Sequence, residues 1–294
     1  MSMKICTSIA LKLHAFGVTQ LHDPNWTGME LFDRLKQHTR GRVEPTSLLF
    51  KTLQKGLLYH IGLWLYEDYI ISDVHRMSLG GEYRLWYLED LLELLQSASV
   101  PQDDTLVAKA RRLVEKVDAL YAADEAAYFE AVDRNTLFAM TDRLIQKFEN
   151  EIMIVAGYYA RNYAERVFHD RQLCEHVSKT LVLIGFDGQD DDGPPKQWID
   201  RQRRWPAWAL KAVTARDRGH CALCGSGITL ELEASPHIDH IVALAKGGTN
   251  DLCNLQLLCD VCNRKKAARR VAAKSSVPEY LQLAAERRHK RDDG

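Results

Sequence analysis

Four cysteines near the C-terminal end are paired at the spacing of metal-binding knuckles. Cys221-x-x-Cys224 and Cys259-x-x-Cys262 are separated by 34 residues. Each C-x-x-C turn presents two thiolates to one point, and four such sulfurs can complete a tetrahedral zinc site with Zn–S distances of about 2.3 Å. Because sulfur takes all four positions, no position is left for water, and the zinc is predicted to be structural.

A second set of polar residues lies between the knuckles and just past them, in HIDHIVALAKGGTNDLCNLQLLCDVCNRKK. Asp239 and His240 are adjacent in an apolar alternating run, Asn254 follows a Gly-Gly turn, and Asn263 lies at the start of a predicted helix. Histidine has an ordinary pKa near neutrality, so His240 can take a proton from water. Asp239 and Asn263 offer the oxygen ligands that suit Mg²⁺. Taken singly, each residue also has an ordinary structural explanation. His240 fits a packed strand histidine, Asp239 fits a local cap or ion pair, and the two asparagines fit turn and cap positions.

The order of these residues closely resembles the HNH nuclease family. The resemblance covers about residues 205–272 and rests on the knuckles, the Asp239–His240 pair, the Gly-Gly loop, the middle asparagine and the C-x-x-C-N-x-x-K ending. It implies a ββα-metal fold, a hairpin followed by a helix, that hydrolyses DNA to 3'-hydroxyl and 5'-phosphate products. It also implies that His240 is the general base, that Asp239 and Asn263 hold catalytic Mg²⁺ or Mn²⁺, and that Asn254 braces the loop carrying the base.

Three further residues of this segment carry expectations. Asn263 stands where the family name has a third histidine, a departure that is common among its members and favours Mg²⁺ or Mn²⁺ over a softer ion. His237 lies two residues before Asp239 on the same strand face, which makes it a candidate second ligand or supporting residue, with an ordinary strand histidine as the alternative. Cys253 lies outside both knuckles and is predicted to be a buried thiol.

Positive charge is concentrated at the C-terminal end. Residues 201–294 contain 17 Lys and Arg against 10 Asp and Glu, a net charge of +7, whereas residues 1–200 contain 22 against 30, a net charge of −8. This asymmetry favours contact with phosphates at the catalytic end, although a solvated basic face is the alternative. Basic residues after the second knuckle are Arg264, Lys265, Lys266, Arg269 and Arg270, and those before the first are Arg201, Arg203, Arg204, Lys211, Arg216 and Arg218. No pattern identifies particular bases, and RNA is not excluded as a substrate.

The upstream part of the chain is predicted to be helical. Leucine or isoleucine recurs at every fourth residue from Leu49 to Leu65, and apolar residues follow a three-or-four spacing from Leu137 to Tyr159. Between Pro101 and Gly157 there is no glycine or proline to interrupt a helix. The first 25 residues fit either a strand or a short helix.

We therefore predict an α+β protein in which an all-helical domain precedes a small zinc-stapled ββα-metal (HNH) domain. Residues 1–184 form the helical domain, with a role in partner binding, dimerisation or regulation. The acidic Gly/Pro segment 185–198 is the linker, and residues 199–294 form the nuclease domain with a basic tail. No apolar run is long and uncharged enough to span a membrane, and isolated cysteines outside the cluster indicate a reducing cytoplasm.

The sequence thus predicts a metal-dependent DNA endonuclease that nicks one strand. HNH nucleases joined to unrelated helical domains occur in restriction and anti-phage defence, as in the HNH component of some Zorya systems, so a defence role is expected by analogy. One alternative is a zinc-stabilised DNA-binding or protein-docking module without catalysis. Another is that the helical domain senses a partner or restrains the nuclease, in which case deletion of residues 1–184 is expected to raise nicking.

Overall fold

The computed structural model describes residues 7–22, 28–39, 47–182, 199–228 and 236–266. Within these ranges a mostly helical N-terminal region precedes a small two-stranded sheet and a helix, so the predicted fold class is confirmed. The helices are α1 (Thr7–His22), α2 (Gly28–Thr39), α3 (Ser47–Phe50), α4 (Leu57–Ile70), α5 (Asp73–Ser78), α6 (Glu82–Ser97), α7 (Thr105–Ala123), α8 (Glu125–Asp133), α9 (Asn135–His169), α10 (Arg171–Val182), α11 (Ala207–Arg216) and α12 (Asp260–Lys266). The strands are β1 (His237–His240) and β2 (Leu255–Leu258).

The chain divides into two compact units. The helical unit contains the described residues of 1–23 and 58–166, and the site unit contains those of 24–57 and 167–294. The site unit therefore includes α2, α3 and α10, which precede the predicted nuclease domain in the sequence. The predicted linker 185–198 and the basic tail, with Arg269 and Arg270, lie outside the described residues. No described helix has the length and apolar character needed to cross a membrane.

The helical unit is built on the apolar spacing predicted from the sequence. The predicted stripe from Leu137 to Tyr159 is buried along α9, which bends at Phe148 where the backbone leaves helical geometry (φ −117°, ψ 25°). Asp104 and Asp124 begin α7 and α8 by accepting hydrogen bonds from backbone N–H groups of the first turn. The first 25 residues fit either a strand or a short helix by sequence, and in the structure Thr7–His22 form the helix α1.

The four-residue repeat from Leu49 to Leu65 does not form one helix, because α3 ends before α4 begins at Leu57. The N–H of Leu57 donates to Asp251 Oδ2 at 3.1 Å. A Cβ added to Gly56 would lie 2.8 Å from the same oxygen, so this position has no room for a side chain. The first N–H of α4 thus binds a carboxylate 194 positions downstream, and periodicity cannot reveal such a partner.

The site unit is organised around an antiparallel pair of strands. His237 lies opposite Leu258 and His240 opposite Leu255, and every residue of β2 is buried. Arg216, the last residue of α11, is itself buried and donates to the carbonyl of Leu255 at 2.6 Å. Its guanidinium also pairs with Asp217, whose Oδ2 accepts the N–H of Leu257 at 2.8 Å. These contacts attach α11 to β2.

The Gly-Gly turn between the strands requires glycine for two different reasons. Gly247 has a left-handed backbone (φ 79°), which a residue with a side chain adopts only at a cost. At Gly248, an added Cβ would lie 1.9 Å from the carbonyl oxygen of Val242. The turn can therefore approach the end of β1 closely only with glycine at the second position.

Candidate active site

The two knuckles bring their four cysteines together. The Sγ atoms of Cys221, Cys224, Cys259 and Cys262 all lie within 4.8 Å of one another, and those of Cys224 and Cys259 are 3.8 Å apart. A tetrahedral zinc with Zn–S distances of about 2.3 Å separates its sulfurs by about 3.8 Å. The arrangement therefore fits a zinc ion, and the N–H of Ala222 ties the first knuckle to β2 by donating to Leu257 O at 2.8 Å.

Asp239 is fixed by two donors on one of its carboxylate oxygens. Oδ2 lies 2.7 Å from Lys266 Nζ and 3.2 Å from Gln256 Nε2. Gln256 is the residue opposite Asp239 in the strand register, so β2 provides one donor and α12 the other. Because both contacts use Oδ2, the second oxygen, Oδ1, is the one available to a cation.

Lys266 connects α12 to the end of β1. Its side chain is 1% exposed, and besides Asp239 it donates to the backbone carbonyl of His240 at 2.6 Å. A buried ammonium group that is already paired cannot contact a phosphate from solution. The nucleic-acid surface predicted from the sequence therefore excludes Lys266.

The ring of His240 is buried, with 5% of the residue exposed. Nε2 lies 2.9 Å from Asn250 Oδ1, and the indole of Trp205 stands edge-on to the imidazole with ring centroids 5.5 Å apart. Burial lowers the pKa of His240 below its ordinary value, while the hydrogen bond with Asn250 and the charge of Asp239 act in the opposite direction. The net direction favours the neutral ring, which is the form that can accept a proton.

Asn254 is fully buried and joins both sides of the turn that follows β1. Its Oδ1 accepts the N–H of Val242 at 2.8 Å, and its Nδ2 donates to the carbonyls of Val242 at 3.0 Å and Thr249 at 2.8 Å. Its own carbonyl accepts the N–H of Ile241 at 2.6 Å. These bonds hold the loop that begins directly after His240.

Asn263 and His237 are less closely tied to Asp239. Asn263 lies on α12, the helix that carries Lys266, and its N–H donates to the Cys259 carbonyl at 2.9 Å. The Nε2 atom of His237 lies 3.6 Å from Asp260 Oδ1. Among the described residues no hydrogen bond joins the side chain of Asp239 to Asn263 or to His237.

Three supporting residues were not singled out in the sequence. Gln256 could have been found from the strand register, because it lies opposite Asp239. Asn250 contacts the His240 ring, but its segment reads as an ordinary turn. Buried Arg171 on α10 donates to Gln256 Oε1 at 2.6 Å, and no spacing connects residues 85 positions apart.

Most of the described basic residues that the sequence predicts to contact phosphates are exposed. Arg216 is the exception among those predicted before the first knuckle, because it is buried against Asp217 and lies over the ring of Phe168. Cys253 is fully buried, as predicted, with its Sγ 3.9 Å from Ser178 Oγ. The exposed members of the predicted basic set are Arg201, Arg203, Arg204, Lys211, Arg218, Arg264 and Lys265.

The family comparison agrees with this geometry. The model of the HNH endonuclease family matches residues 221–269, a segment that contains both knuckles and the Asp239–His240 pair. This part of the chain therefore resembles an HNH endonuclease domain and contains a four-cysteine cluster, and the family generally hydrolyses nucleic acids. Comparison with curated proteins and with solved structures finds no significant match.

Proposed function

We propose that the protein is a metal-dependent endonuclease that hydrolyses phosphodiester bonds in DNA. One observation carries the proposal. Asp239 and His240 are consecutive residues at the end of β1, and each is held by a side-chain hydrogen bond within the segment that matches the HNH family.

The side chains divide the chemistry between them. His240 takes a proton from the attacking water, whose oxygen bonds to phosphorus as the bond from phosphorus to the 3' oxygen breaks. The leaving oxygen takes a proton from solvent water, giving 3'-hydroxyl and 5'-phosphate ends. Asp239, through Oδ1, and Asn263, through its amide oxygen, would hold a Mg²⁺ or Mn²⁺ ion, which when bound offsets negative charge on the phosphate.

The remaining groups support substrate binding and the fold. A zinc ion at the four cysteines would staple the first knuckle to α12, which carries Lys266. The exposed arginines and lysines before the first knuckle and on α12 contact DNA phosphates, so binding is expected to weaken with salt. Such contacts position the duplex and do not select a sequence.

One active site per chain cuts one strand, so we propose that a single chain nicks DNA and that a double-strand break requires a dimer or two events. The helical unit then serves as the region for partner binding, self-association or regulation. A role in restriction or anti-phage defence, and a cytoplasmic location, stay predictions, because the family match covers the nuclease segment alone.

A supercoiled-plasmid assay tests the proposal. The wild-type protein is incubated with Mg²⁺, Mn²⁺ or EDTA beside His240→Ala and a control, His169→Ala, which changes an exposed histidine at the end of α9. We expect metal-dependent conversion to open circles that His240→Ala slows by about 100- to 10,000-fold and His169→Ala leaves unchanged. Equal rates for wild type and His240→Ala would rule out the assigned base.

A second candidate is a zinc-stabilised nucleic-acid-binding module without catalysis. Two observations favour it: His240 is 5% exposed, and the Asp239 carboxylate already has a cationic partner in Lys266. This candidate predicts DNA binding that needs the four cysteines and the exposed arginines, together with no cleavage under any metal. Fluorescence anisotropy with labelled DNA, run beside the plasmid assay, separates the two functions.

A further inference from the structure

The side chain of Asn250 connects His240 to two distant parts of the chain. Its Nδ2 donates to the carbonyl of Phe50 at 3.0 Å and to the carbonyl of Asp200 at 2.9 Å, while its Oδ1 lies 2.9 Å from His240 Nε2. The residue is 1% exposed. All four residues belong to the site unit, but Phe50 and Asp200 precede the family match at 221–269.

The two carbonyls decide which way the amide faces. A carbonyl oxygen only accepts hydrogen bonds, so the amide nitrogen of Asn250 must face Phe50 and Asp200. Its oxygen then faces the imidazole and accepts, which requires the proton of the neutral ring to be on His240 Nε2. The lone pair is consequently on Nδ1, the nitrogen that Asn250 does not contact.

The backbone of Asn250 is anchored to the same upstream segment. Its N–H donates to the carbonyl of Leu49 at 2.7 Å, and its carbonyl accepts from Thr52 Oγ1 at 2.7 Å. Thr52 Oγ1 also lies 3.3 Å from Gln202 Oε1, close to Asp200 in the chain. Both the position and the rotation of the Asn250 amide are thus set from outside the matched segment.

We propose that Asn250 is a positioning residue that orients the His240 ring with its proton on Nε2, and that residues 49–52 are part of the active site through it. The inference rests on the proposed function, in which His240 is the general base. It extends that function because it assigns a role to a side chain outside the metal and base set. It also makes Nδ1 the atom that receives the proton of the attacking water.

Nuclear magnetic resonance of protein labelled with ¹⁵N in its histidine rings tests the orientation directly. The 294-residue chain is used, and the His240 signals are assigned by comparison with His240→Ala. At a pH where the ring is neutral, we expect a protonated Nε2, an unprotonated Nδ1 and a resolved Hε2 resonance, since that hydrogen is buried and bonded to Asn250. Protonation at Nδ1 in the wild type would overturn the proposal.

Asn250→Ala and Thr249→Ala form a matched pair in the same loop. Thr249 is also 1% exposed, but its hydroxyl has no hydrogen-bond partner among the described residues, so its removal should change little. We expect the Hε2 resonance of His240 to disappear by fast exchange in Asn250→Ala and to persist in Thr249→Ala. Persistence of the resonance in both variants would contradict the role of Asn250, and if Asn250→Ala does not fold, the wild-type spectrum decides alone.

The cleavage rate gives a second readout. Replacing a residue that orients a functional histidine typically costs about 10- to 100-fold in activity, so Asn250→Ala is expected to lower kcat by that factor with little change in KM. An unchanged kcat would overturn the positioning role. If the wild type does not cleave DNA, the nuclease proposal fails, whereas the ring spectra still decide whether Asn250 orients His240.

Discussion

Replacing Lys266 by methionine tests whether the buried ion pair with Asp239 holds the end of β1. Methionine keeps an unbranched apolar side chain of similar reach, so packing along the stem is largely retained and the ammonium group is what disappears. The change leaves Asp239 with Gln256 as its described partner and removes the donor to the His240 carbonyl.

The expected magnitude follows from the burial of both groups. The side chains of Lys266 and Asp239 are 1% and 14% exposed, so the pair is screened little by water. Removing one partner of a buried pair costs about 3–5 kcal/mol. Because Asp239 keeps one hydrogen bond and some contact with water, we take the lower end, about 3 kcal/mol, which corresponds to roughly 150-fold in the opening equilibrium.

Native-state hydrogen exchange measures the free energy of opening at individual backbone amides. A local measurement is needed because the chain has two compact units. Backbone amides near the sheet, such as those of Ile241 and Leu257, are hydrogen-bonded and buried. Without added Mg²⁺, we expect their exchange to be about 150-fold faster in Lys266→Met. The control is Lys265→Met, the exposed neighbour on the same helix, for which a surface change predicts a shift within about threefold.

Two results would refute the reasoning. The first is a cost below about 1 kcal/mol, or one equal to that of Lys265→Met, which would mean that the pair contributes nothing specific. The second is additivity in a double-mutant cycle with Asp239→Asn, because groups in direct contact should show a coupling free energy. We expect the double variant to be more stable than the sum of the two single changes predicts.

Three further predictions concern the zinc cluster, the loop and the helical unit. Cys259→Ser should lower the zinc content measured by mass spectrometry from one ion per chain and abolish cleavage that added Mg²⁺ does not restore. Gly248→Ala should destabilise the site unit by about 3 kcal/mol or more in urea unfolding because its Cβ meets a backbone oxygen, whereas Gly80→Ala, with open space around it, should cost little. Burial raises the pKa of Asp90 and the Lys12 ammonium at 2.6 Å opposes that shift. Lys12→Met should therefore cost about 1–2 kcal/mol at neutral pH, since Lys12 is 40% exposed. The deficit should appear as the pH rises through the raised pKa of Asp90 in the folded wild type and vanish below it, because both proteins then carry a neutral Asp90, as measured by urea unfolding across pH.

The fold was predictable where the signal was local. Apolar spacing identified α9, and the C-x-x-C pairs identified a four-sulfur cluster that the structure brings together. Periodicity did not show where α3 ends and α4 begins between Leu49 and Leu65, because α4 begins with a hydrogen bond from Leu57 to Asp251 and a helical window reports no partner so distant.

The residues of the candidate site divide in the same way, into those with a local sequence signal and those whose role depends on tertiary contacts. Asp239 and His240 could be chosen from residue type, because few side chains ligate a hard cation or accept a proton near neutral pH. The sequence predicts that Lys266 binds nucleic acid together with its basic neighbours, because composition does not distinguish a buried ammonium group from an exposed one. Arg171 and Asn250 were missed because their roles depend on tertiary contacts across 85 and 200 positions.

These contacts change how regulation by the helical region should be tested. Deleting residues 1–184 would remove the carbonyl of Phe50 that holds Asn250, the N–H of Leu57 that pairs with Asp251, and the Arg171 side chain that orients Gln256. Buried Asn250 and Asp251 would then lose partners at a cost of about 1–3 kcal/mol for each unsatisfied group. Such a deletion is therefore expected to lower nicking even if the helical unit restrains the nuclease. Restraint must be tested by substitutions on the exposed surface of residues 58–166, which leave every contact of the site unit in place.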